Sequence, residues 1–323
     1  MVERGVESAA EKAGALPGTK PRLSGDALSW AALLLLVVIW GSTFAGLRIG
    51  VETITPAWLV AGRLLSGAFF LGAWLFLAFV FRRPRMQAAP MLISMRALGW
   101  FAFIGIAATM LPFVMYAHAA ESVGSAVLAI CNGGTPFATV LMAHFIVGDR
   151  LTARRITGVM LGFLGLVVLV IPELRDGAHA GLIGLLLGIV GAWLYAVGNI
   201  ATRLAPQVEP VMSAFIIVAV GGVAALVYAI AMEPFPLAAS TASIAAMIIL
   251  GLLPTAFAMF IYVWLIRRAG PVFVSFTTYM SPLWATGLGV LFLGEPLLWS
   301  MVGALALILA GVAVANWRRP AKS

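Results

Sequence analysis

The sequence carries one arrangement of residues twice, with a constant separation of 146 positions between the copies. The residues of the first copy, followed by their counterparts, are Tyr116, Gly124, Pro136, Gly148, Asp149 and Gly165, then Tyr262, Gly270, Pro282, Gly294, Glu295 and Gly311. Five hydrophobic stretches separate the two copies. An odd number of membrane crossings would turn the second copy upside down, so the sequence predicts two halves of opposite orientation.

Composition places the whole chain in the membrane. Of 323 residues, 63% are hydrophobic and only 10% are charged, with a mean hydropathy of +1.08. A spanning helix needs about 20 consecutive apolar residues. Such runs lie near 28–49, 57–81, 97–119, 122–146, 155–171, 181–202, 211–232, 243–266, 272–293 and 297–317. The predicted fold class is an all-α integral membrane protein of about ten transmembrane helices in two inverted five-helix repeats. Long continuous runs argue against a β-barrel.

The predicted domains follow from these runs. A first five-helix repeat occupies 27–174, and a second, inverted repeat occupies 175–317. Residues 1–26 are polar and rich in Ala, Gly, Glu and Pro, which indicates a disordered cytoplasmic tail; residues 318–323 form a second tail. The first span is too long for the apolar region of a signal peptide.

The formal charge of +8 has a topological explanation. If the spans alternate, 17 of the 20 basic residues fall in tails and connections on one side. Arg48 and Arg175 lie on the other side, and Arg63 lies inside a span. Because basic loops stay cytoplasmic, both termini of this multi-pass protein are predicted to be cytoplasmic. No nucleic-acid partner is needed to explain the charge.

Short motifs in order along the chain carry a family resemblance. They are Trp40-Gly41-Ser42-Thr43-Phe44, Arg63 soon after Pro56, Pro136, Gly148-Asp149-Arg150-Leu151-Thr152, then Pro282, Gly294-Glu295-Pro296 and Gly311. Over about residues 28–317 the chain resembles the EamA-type family of the drug/metabolite transporter superfamily, and within it the YddG-like amino-acid exporters. Two departures are Asp149 in place of the usual Glu, and the polar, flexible segment Asn132-Gly133-Gly134-Thr135.

The resemblance implies an inner-membrane carrier that exports small metabolites, often amino acids, and that works as a monomer or weak oligomer. The expected partners are a small-molecule substrate and the lipid bilayer, with no obligatory protein partner. Inverted repeats are typical of alternating-access transporters, whose substrate site lies near the midplane. The departures near Asn132 would affect the substrate first.

Inversion predicts that Tyr116 and Tyr262 lie at opposite mouths of a central cavity. We interpret them as equivalent gates, Tyr116 outside and Tyr262 inside. The alternative is that both are tyrosines of the interfacial aromatic belt.

The candidate substrate-binding residues are Trp40, Thr43, Asn132, Trp193, Tyr195, Asn199, Tyr279 and Ser281. Trp40 and Trp193 each lie about 12 residues into a span, near mid-membrane at 1.5 Å per residue. Aromatic surface beside uncharged hydrogen-bonding groups suits an amphipathic neutral or zwitterionic metabolite. The alternative is packing between helices, with hydroxyls bonded back to their own helix.

Asn132 lies in the middle of the fourth span and precedes Pro136, which removes a backbone hydrogen bond. Pro282 repeats this theme in the ninth span. Kinked spans with nearby polar groups, in corresponding places of two halves, indicate a transporter site. Pro136 and Pro282 are therefore candidate hinges of that site; hinges without ligand contact are the alternative.

Four other residues could carry charge. Arg63 is a possible contact for a substrate carboxylate, because a cation inside a span is costly; snorkelling or helix capping is the alternative. His118 is a possible proton site, since histidine titrates near neutral pH, and a plain interfacial histidine is the alternative. Asp149 and Glu295 are interpreted as braces for helix starts.

Several classes of function lack the residues they need. All twelve acidic residues lie in tails, loops or span ends, so a buried carboxylate relay is not expected. No phosphate-binding loop, catalytic carboxylate pair or metal-binding cluster occurs in the sequence, which predicts neither an enzyme nor a cofactor or metal. A passive facilitator or channel remains the main rival to a carrier, and a lipid-acting membrane enzyme is a remote one.

Overall fold

The computed structural model of this chain describes residues 26–81, 93–176 and 179–316, and every regular element in those ranges is helical. We number the main helices in chain order: α1 Ala27–Gly50, α2 Pro56–Phe81, α3 Met95–Ala120, α4 Ser125–Val147, α5 Ala153–Asp176, α6 His179–Leu204, α7 Pro210–Met232, α8 Thr241–Ala269, α9 Phe276–Phe292 and α10 Trp299–Asn316. A four-residue helix, Pro271–Val274, precedes α9.

Among the described residues, seven helices are long and apolar enough to cross a membrane: α1 to α4, α6 (from Gly181), α7 and α8. A shorter apolar helix, Trp299–Ala315, belongs to α10. The predicted all-helical membrane class is therefore confirmed. The count of ten spans and the inversion of the two halves stay predictions. The predicted tails lie outside the described residues, apart from Asp26, which accepts the Ser29 N–H and begins α1.

Four helices are interrupted where the sequence weakens them. α1 breaks at Ser42, and α4 breaks at Gly133 and Gly134. α3 and α8 each contain a π-helical turn, at Ile106–Met110 and Gly251–Phe257. Because a π turn displaces the regular backbone bonds, such turns often occur at functional sites.

Small residues allow two helix pairs to approach closely. A Cβ added to Gly158 of α5 would lie 2.6 Å from the Gly311 carbonyl oxygen of α10, so these backbones are nearly in contact. On the other pair, a Cβ on Gly251 of α8 would lie 2.5 Å from the carbonyl oxygen of Arg63 in α2. Membrane helices associate through such close packing of small residues. The second contact holds Arg63 directly against the π turn of α8.

The remaining helices enclose the middle of the molecule. α2 packs on α7, α3 packs on α6, and α1 packs on α8 and α9. Both halves of α4 contact α6 and α5, but only the first half packs extensively on α9. The break at Gly133 and Gly134 therefore lies where α4 leaves its contact with α9.

Candidate functional site

Arg63 is the charged residue at the centre of the candidate site. Its side chain is 3% exposed, on the buried face of α2. Its Nε donates to the Thr255 hydroxyl at 3.2 Å, and its Cζ lies 3.8 Å from the ring centroid of Phe113. Its Nη1 is buried and has no hydrogen-bond partner among the described residues. A buried polar group usually has a partner, so this open donor calls for an explanation.

A chain of aromatic rings extends from Arg63 toward α4. Phe113 meets Tyr195 edge to face at 6.0 Å, and Tyr195 stacks on Tyr116 at 5.7 Å with an interplanar angle of 28°. Phe44 of α1 meets Tyr116 at 5.4 Å. Offset and edge-to-face geometries are those that aromatic pairs prefer. The rings join α1, α3 and α6 in one layer.

Asn132 lies at the far edge of this layer. Its Oδ1 accepts from the Tyr116 hydroxyl and from the Thr135 hydroxyl, each at 3.3 Å. The sequence predicted Asn132, Tyr116, Tyr195 and Arg63 as separate candidates, and the fold brings them together. We call Arg63, Phe113, Tyr116, Asn132, Tyr195 and Thr255 the Arg63 layer.

The π turn of α8 supplies the edge of the Arg63 layer near α1. The Thr255 hydroxyl donates to the Leu250 carbonyl at 2.9 Å, which satisfies a carbonyl of the irregular turn. The Pro254 carbonyl accepts the indole N–H of Trp40 at 3.3 Å. The Trp40 ring also packs on Tyr262 at 5.6 Å. Trp40 thus fastens α1 to α8, and Tyr262 lies partly exposed beside it.

The two candidate hinges have different surroundings. Pro136 follows the break in α4, where Asn132, Thr135 and Pro136 are partly exposed. Pro282 is buried inside α9, which continues through it from Phe276 to Phe292. The chain is thus broken at one proline and continuous at the other.

A row of polar side chains leads from the Arg63 layer along α4 and α6. Thr139 lies one turn beyond Thr135, and its hydroxyl accepts the amide of Asn199 at 3.0 Å. Asn199 is exposed. The exposed apolar residues of α6 form a stripe on another side of the helix, made of Ile183, Leu186, Val190 and Trp193. Since helical residues turn by 100° each, Tyr195 faces away from Trp193. We infer that Asn199 borders an opening inside the protein.

This polar row ends at an ion pair. Arg203, one turn beyond Asn199 on α6, donates to both carboxylate oxygens of Asp149 at 2.9 and 3.2 Å. The Arg203 guanidinium holds the pKa of the Asp149 carboxyl below its ordinary value, mainly through this hydrogen bond. Asp149 was predicted to brace a helix start, and it instead joins the end of α4 to α6.

Glu295, the counterpart of Asp149, does brace a helix start. Its carboxylate accepts the backbone N–H groups of Ser125 at 2.6 Å and Ala126 at 3.0 Å. Negative charge is favoured at a helix N-terminus. Glu295 follows α9, and Ser125 begins α4, so this carboxylate closes the contact between the two helices. We call this contact the Glu295 seam.

The backbone turn that precedes Glu295 is repeated before Asp149. Gly148 and Gly294 are left-handed, at φ 75° and 65°, which glycine adopts without strain. The next residue closes the same bond in each copy: Asp149 N–H to Ala143 carbonyl, and Glu295 N–H to Gly289 carbonyl. Ser125 corresponds by the same spacing to Pro271, which has no N–H. A seam made by Asp149 would therefore have one backbone donor fewer.

A second polar cluster lies near the Glu295 seam. His118 Nδ1 is 3.3 Å from Glu121, and its Nε2 is 3.6 Å from Glu233. Glu233 also accepts the Ala57 N–H at 2.9 Å, and Arg48 donates to the Ala120 carbonyl at 2.9 Å. His118 thus joins helix ends at this face and lies outside the Arg63 layer.

The other predicted binding residues serve several contacts. Thr43 bonds back to the Ile39 carbonyl at 3.5 Å, and the Tyr279 hydroxyl donates to the Val312 carbonyl of α10 at 3.1 Å. The Ser281 hydroxyl oxygen is buried, and no described residue forms a hydrogen bond with it. Trp193 lies on the exposed apolar stripe described above. None of these contacts reaches the Arg63 layer.

Sequence reasoning missed Phe113, Thr139 and Thr255. Phe113 has no signal, because an aromatic residue in an apolar span is ordinary. Thr139 lies seven residues after Asn132, on the same helical face. Thr255 follows a proline inside an apolar span, and that pairing could have identified it.

A multi-pass membrane protein with a buried polar centre and a row of polar side chains leading from it is typical of the class of membrane transporters. The EamA-like transporter family matches residues 28–171 and 182–317. The chain belongs to this family. It is a multi-pass protein of the inner membrane.

Similar proteins cover most of the chain. One is described as the uncharacterized inner membrane transporter YedA of Escherichia coli K12, 25% identical over 91% of this chain and 93% of that protein. Another is a probable terminal-alkyne amino-acid exporter of Streptantibioticus cattleyicolor, 28% identical over 89% and 93%. A probable amino-acid metabolite efflux pump of Escherichia coli K12 is 29% identical over 53% and 52%.

A solved crystal structure shares the fold. It has a TM-score of 0.58 and 20% sequence identity, and the match covers 90% of this chain and 98% of that chain. The predicted membership of the EamA family is confirmed. The narrower likeness to YddG-like exporters stays a prediction.

Proposed function

We propose that this protein moves small neutral or zwitterionic metabolites, amino acids first among them, across the inner membrane by alternating access, in the direction of export. The observation that carries the proposal is the difference between the two ends of α4. At one end Glu295 closes α4 against α9; at the other, Asp149 pairs with α6, and a polar row leads to the Arg63 layer. A carrier caught open to one side has this asymmetry.

The inverted repeat supports the same proposal. Helix starts at Met95, Ser125 and Ala153 are followed 146 residues later by starts at Thr241, Pro271 and Trp299. The π turns lie at matching places in α3 and α8. Two stretches matching the family fall on the two proposed halves. We infer ten spans in two inverted five-helix repeats, at 27–174 and 175–317.

The charge distribution gives the proposed orientation. Arg150, Arg154 and Arg203 lie at the Asp149 end, which we therefore assign to the cytoplasm, together with both termini. The Glu295 seam then closes the outer face. Tyr116 is the proposed outer gate, and Tyr262 is the proposed inner gate.

The amino-acid substrate class rests on two supports. The names of similar proteins include an amino-acid metabolite efflux pump and an amino-acid exporter. The Arg63 layer offers aromatic rings, an amide and hydroxyl groups around a single cation. Phosphorylated substrates would need several buried basic groups, so this layer suits them poorly.

Purified protein in proteoliposomes tests the function. We expect saturable uptake of a subset of an amino-acid panel, and a pH gradient will reveal whether protons are coupled. Failure of every amino acid would remove the proposed substrate class. Uptake that never saturates would indicate a passive facilitator instead. A facilitator is the second candidate because the spans lack the acidic residues that a buried proton relay would need.

A single engineered cysteine tests alternating access. In a Cys131→Ala background, Thr139→Cys should react with a membrane-impermeant maleimide from the cytoplasmic side and be protected from outside. Gly99→Cys is the control for reactivity of an unobstructed thiol, because a Cβ added at this position has no atom within 4 Å. Equal labelling of Thr139→Cys from both sides would fit a channel and contradict a carrier.

A further inference from the structure

Among the residues that the structure describes, Arg63 has no counter-ion. The four ion pairs between described residues join His118 to Glu121 and to Glu233, Arg203 to Asp149, and Arg268 to Asp26. None involves Arg63, whose described polar partner is the neutral hydroxyl of Thr255. A buried guanidinium without an anion is costly, particularly in a membrane protein.

The open donor of Arg63 lies in a suitable environment for an anion. Its Nη1 is buried and finds no partner in the part of the chain that the structure describes, while Nε and the face of the guanidinium are already occupied by Thr255 and Phe113. Those two contacts fix the plane of the guanidinium. A fixed guanidinium is preorganised for a carboxylate, which accepts its parallel N–H groups.

The ring chain separates this donor from the polar route. Tyr195 is partly exposed and stacks on Tyr116, whose hydroxyl is held by Asn132. Asn132 itself is partly exposed at the start of the polar row. Separation of the Tyr116–Tyr195 stack would connect Arg63 with a solute that enters along Thr139 and Asn199.

We propose that Arg63 binds the carboxylate of the transported solute. Once the Tyr116–Tyr195 stack separates and the Tyr116 hydroxyl leaves Asn132, the amide oxygen of Asn132 and the ring of Tyr116 receive its ammonium group. This rests on the proposed function and narrows its substrate class to α-amino monocarboxylates. One cation matches one carboxylate. A dicarboxylate would leave a second charge among aromatic rings.

The test compares ligands that differ only at the carboxylate. Binding to the detergent-purified protein is measured for each transported amino acid and for its neutral-carboxyl amide. Wild type should bind the acid about 10- to 100-fold more tightly, the range of a charge-assisted pair. Arg63→Gln should remove this preference while keeping the affinity for the amide. Arg63→Lys should recover part of it, because charge remains without the fork.

A matched control separates this site from general charge effects. Arg96→Gln removes the same charge from an exposed position at the start of α3 and should keep the preference. An unchanged preference in Arg63→Gln would overturn the carboxylate site and leave the proposed transport standing. No transport of any amino acid by wild type would instead remove the proposed function.

The free protein gives a second readout that needs no substrate. If Arg63 awaits an anion, Arg63→Met should melt at the same temperature as wild type or higher, because an unpaired buried charge is removed. Thr255→Val is the comparison, because it keeps the charge of Arg63 and removes the hydroxyl that Arg63 shares with the Leu250 carbonyl. A large fall in melting temperature for Arg63→Met would show that Arg63 is a structural brace, and would contradict the proposal.

Discussion

Tyr116 and Tyr262 hold matching positions in the two copies but have different surroundings. Tyr116 is 1% exposed and lies within the Arg63 layer. Tyr262 is partly exposed and packs on Trp40. In the proposed orientation the outer tyrosine is covered and the inner one is reachable. This difference is what one state of a gated carrier would produce.

Substitutions at Tyr116 should separate its ring from its hydroxyl. Tyr116→Phe removes one hydrogen bond, worth about 1 kcal/mol, and should keep transport with a modest change in affinity. Tyr116→Ala removes a buried ring and should cost about 3–5 kcal/mol of stability, and it should open the outer face to impermeant reagents. Thermal unfolding and cysteine labelling measure the two effects. Unchanged labelling and transport in Tyr116→Ala would contradict the gate.

For single residues, the sequence showed which side chains are chemically unusual more readily than it showed which residues they contact. Arg63 and Asn132 could be singled out because a cation or an amide inside an apolar span is unusual. Trp193 and Tyr195 were grouped by depth alone, and their 200° separation around α6 places them on different faces. Phe113 could not be predicted, since nothing in the sequence marks which ring will cover Arg63.

Among the elements, α4 joins the candidate site to the seam. Its N-terminus is fixed by Glu295, its middle is broken beside Asn132, and its end is tied to α6 through Asp149. The repeat predicted equal roles for Asp149 and Glu295. Spacing cannot show which helix a carboxylate will reach, so their unequal partners had to come from the fold.

Removal of the seam should open the outer face. Glu295→Ala takes away an acceptor for two backbone N–H groups, so we expect a loss of about 1–2 kcal/mol and more labelling of Thr139→Cys from outside. Glu295→Gln keeps one amide oxygen and should give a smaller effect. The two variants are compared by side-specific labelling in membrane vesicles. Identical labelling of Glu295→Ala and the parent would contradict a closing role.

Acid should weaken the link between α4 and α6 only at low pH. The pKa of Asp149 is lowered in the folded state, so its stabilising effect is full above the ordinary carboxyl pKa, near 3.9. The effect disappears as pH falls below that value through the lowered pKa. The difference in melting temperature between wild type and Asp149→Asn should therefore stay constant from pH 8 to about pH 5. In Arg203→Gln the pKa of Asp149 is no longer lowered by this partner, so the carboxylate should become protonated at a higher pH than in wild type.

The contact of α5 with α10 should resist any added side chain. Gly158→Leu would force a side chain against the Gly311 carbonyl and should abolish correct packing, which monodispersity and yield of the purified protein will show. Gly303→Ala is the matched control on α10, since a Cβ there meets only Val168 at 3.5 Å. We expect that control to behave as wild type. A stable Gly158→Leu protein would contradict the packing.

For the whole molecule, the sequence was most informative about class and least informative about state. Apolar runs and their charge asymmetry were sufficient to predict a helical membrane protein, because the bilayer imposes length and composition directly. The conformation depends on small differences between two similar packings. Residues such as Asn199, exposed away from the apolar stripe of α6, indicate that conformation only after folding.

Reporter fusions test the proposed orientation. A reporter that is active only in the cytoplasm should be active when fused after Ser323, and also when inserted at the Arg150 end of α4. One inserted at Leu237, on the proposed outer face, should be inactive. Activity at Leu237 with silence at the other two positions would reverse the orientation and exchange the two gates.

If the protein alternates as proposed, the proline at the start of Pro271–Val274 should give the two faces unequal access for inhibitors. Closure at the cytoplasmic face would have fewer backbone donors than closure at the outer face, so the empty protein should rest open to the cytoplasm. A blocker applied there meets its site already formed. The same blocker applied outside must wait for a minor conformation, and its apparent affinity falls by that population. Replacement of Pro271 by serine should narrow the gap between the two sides.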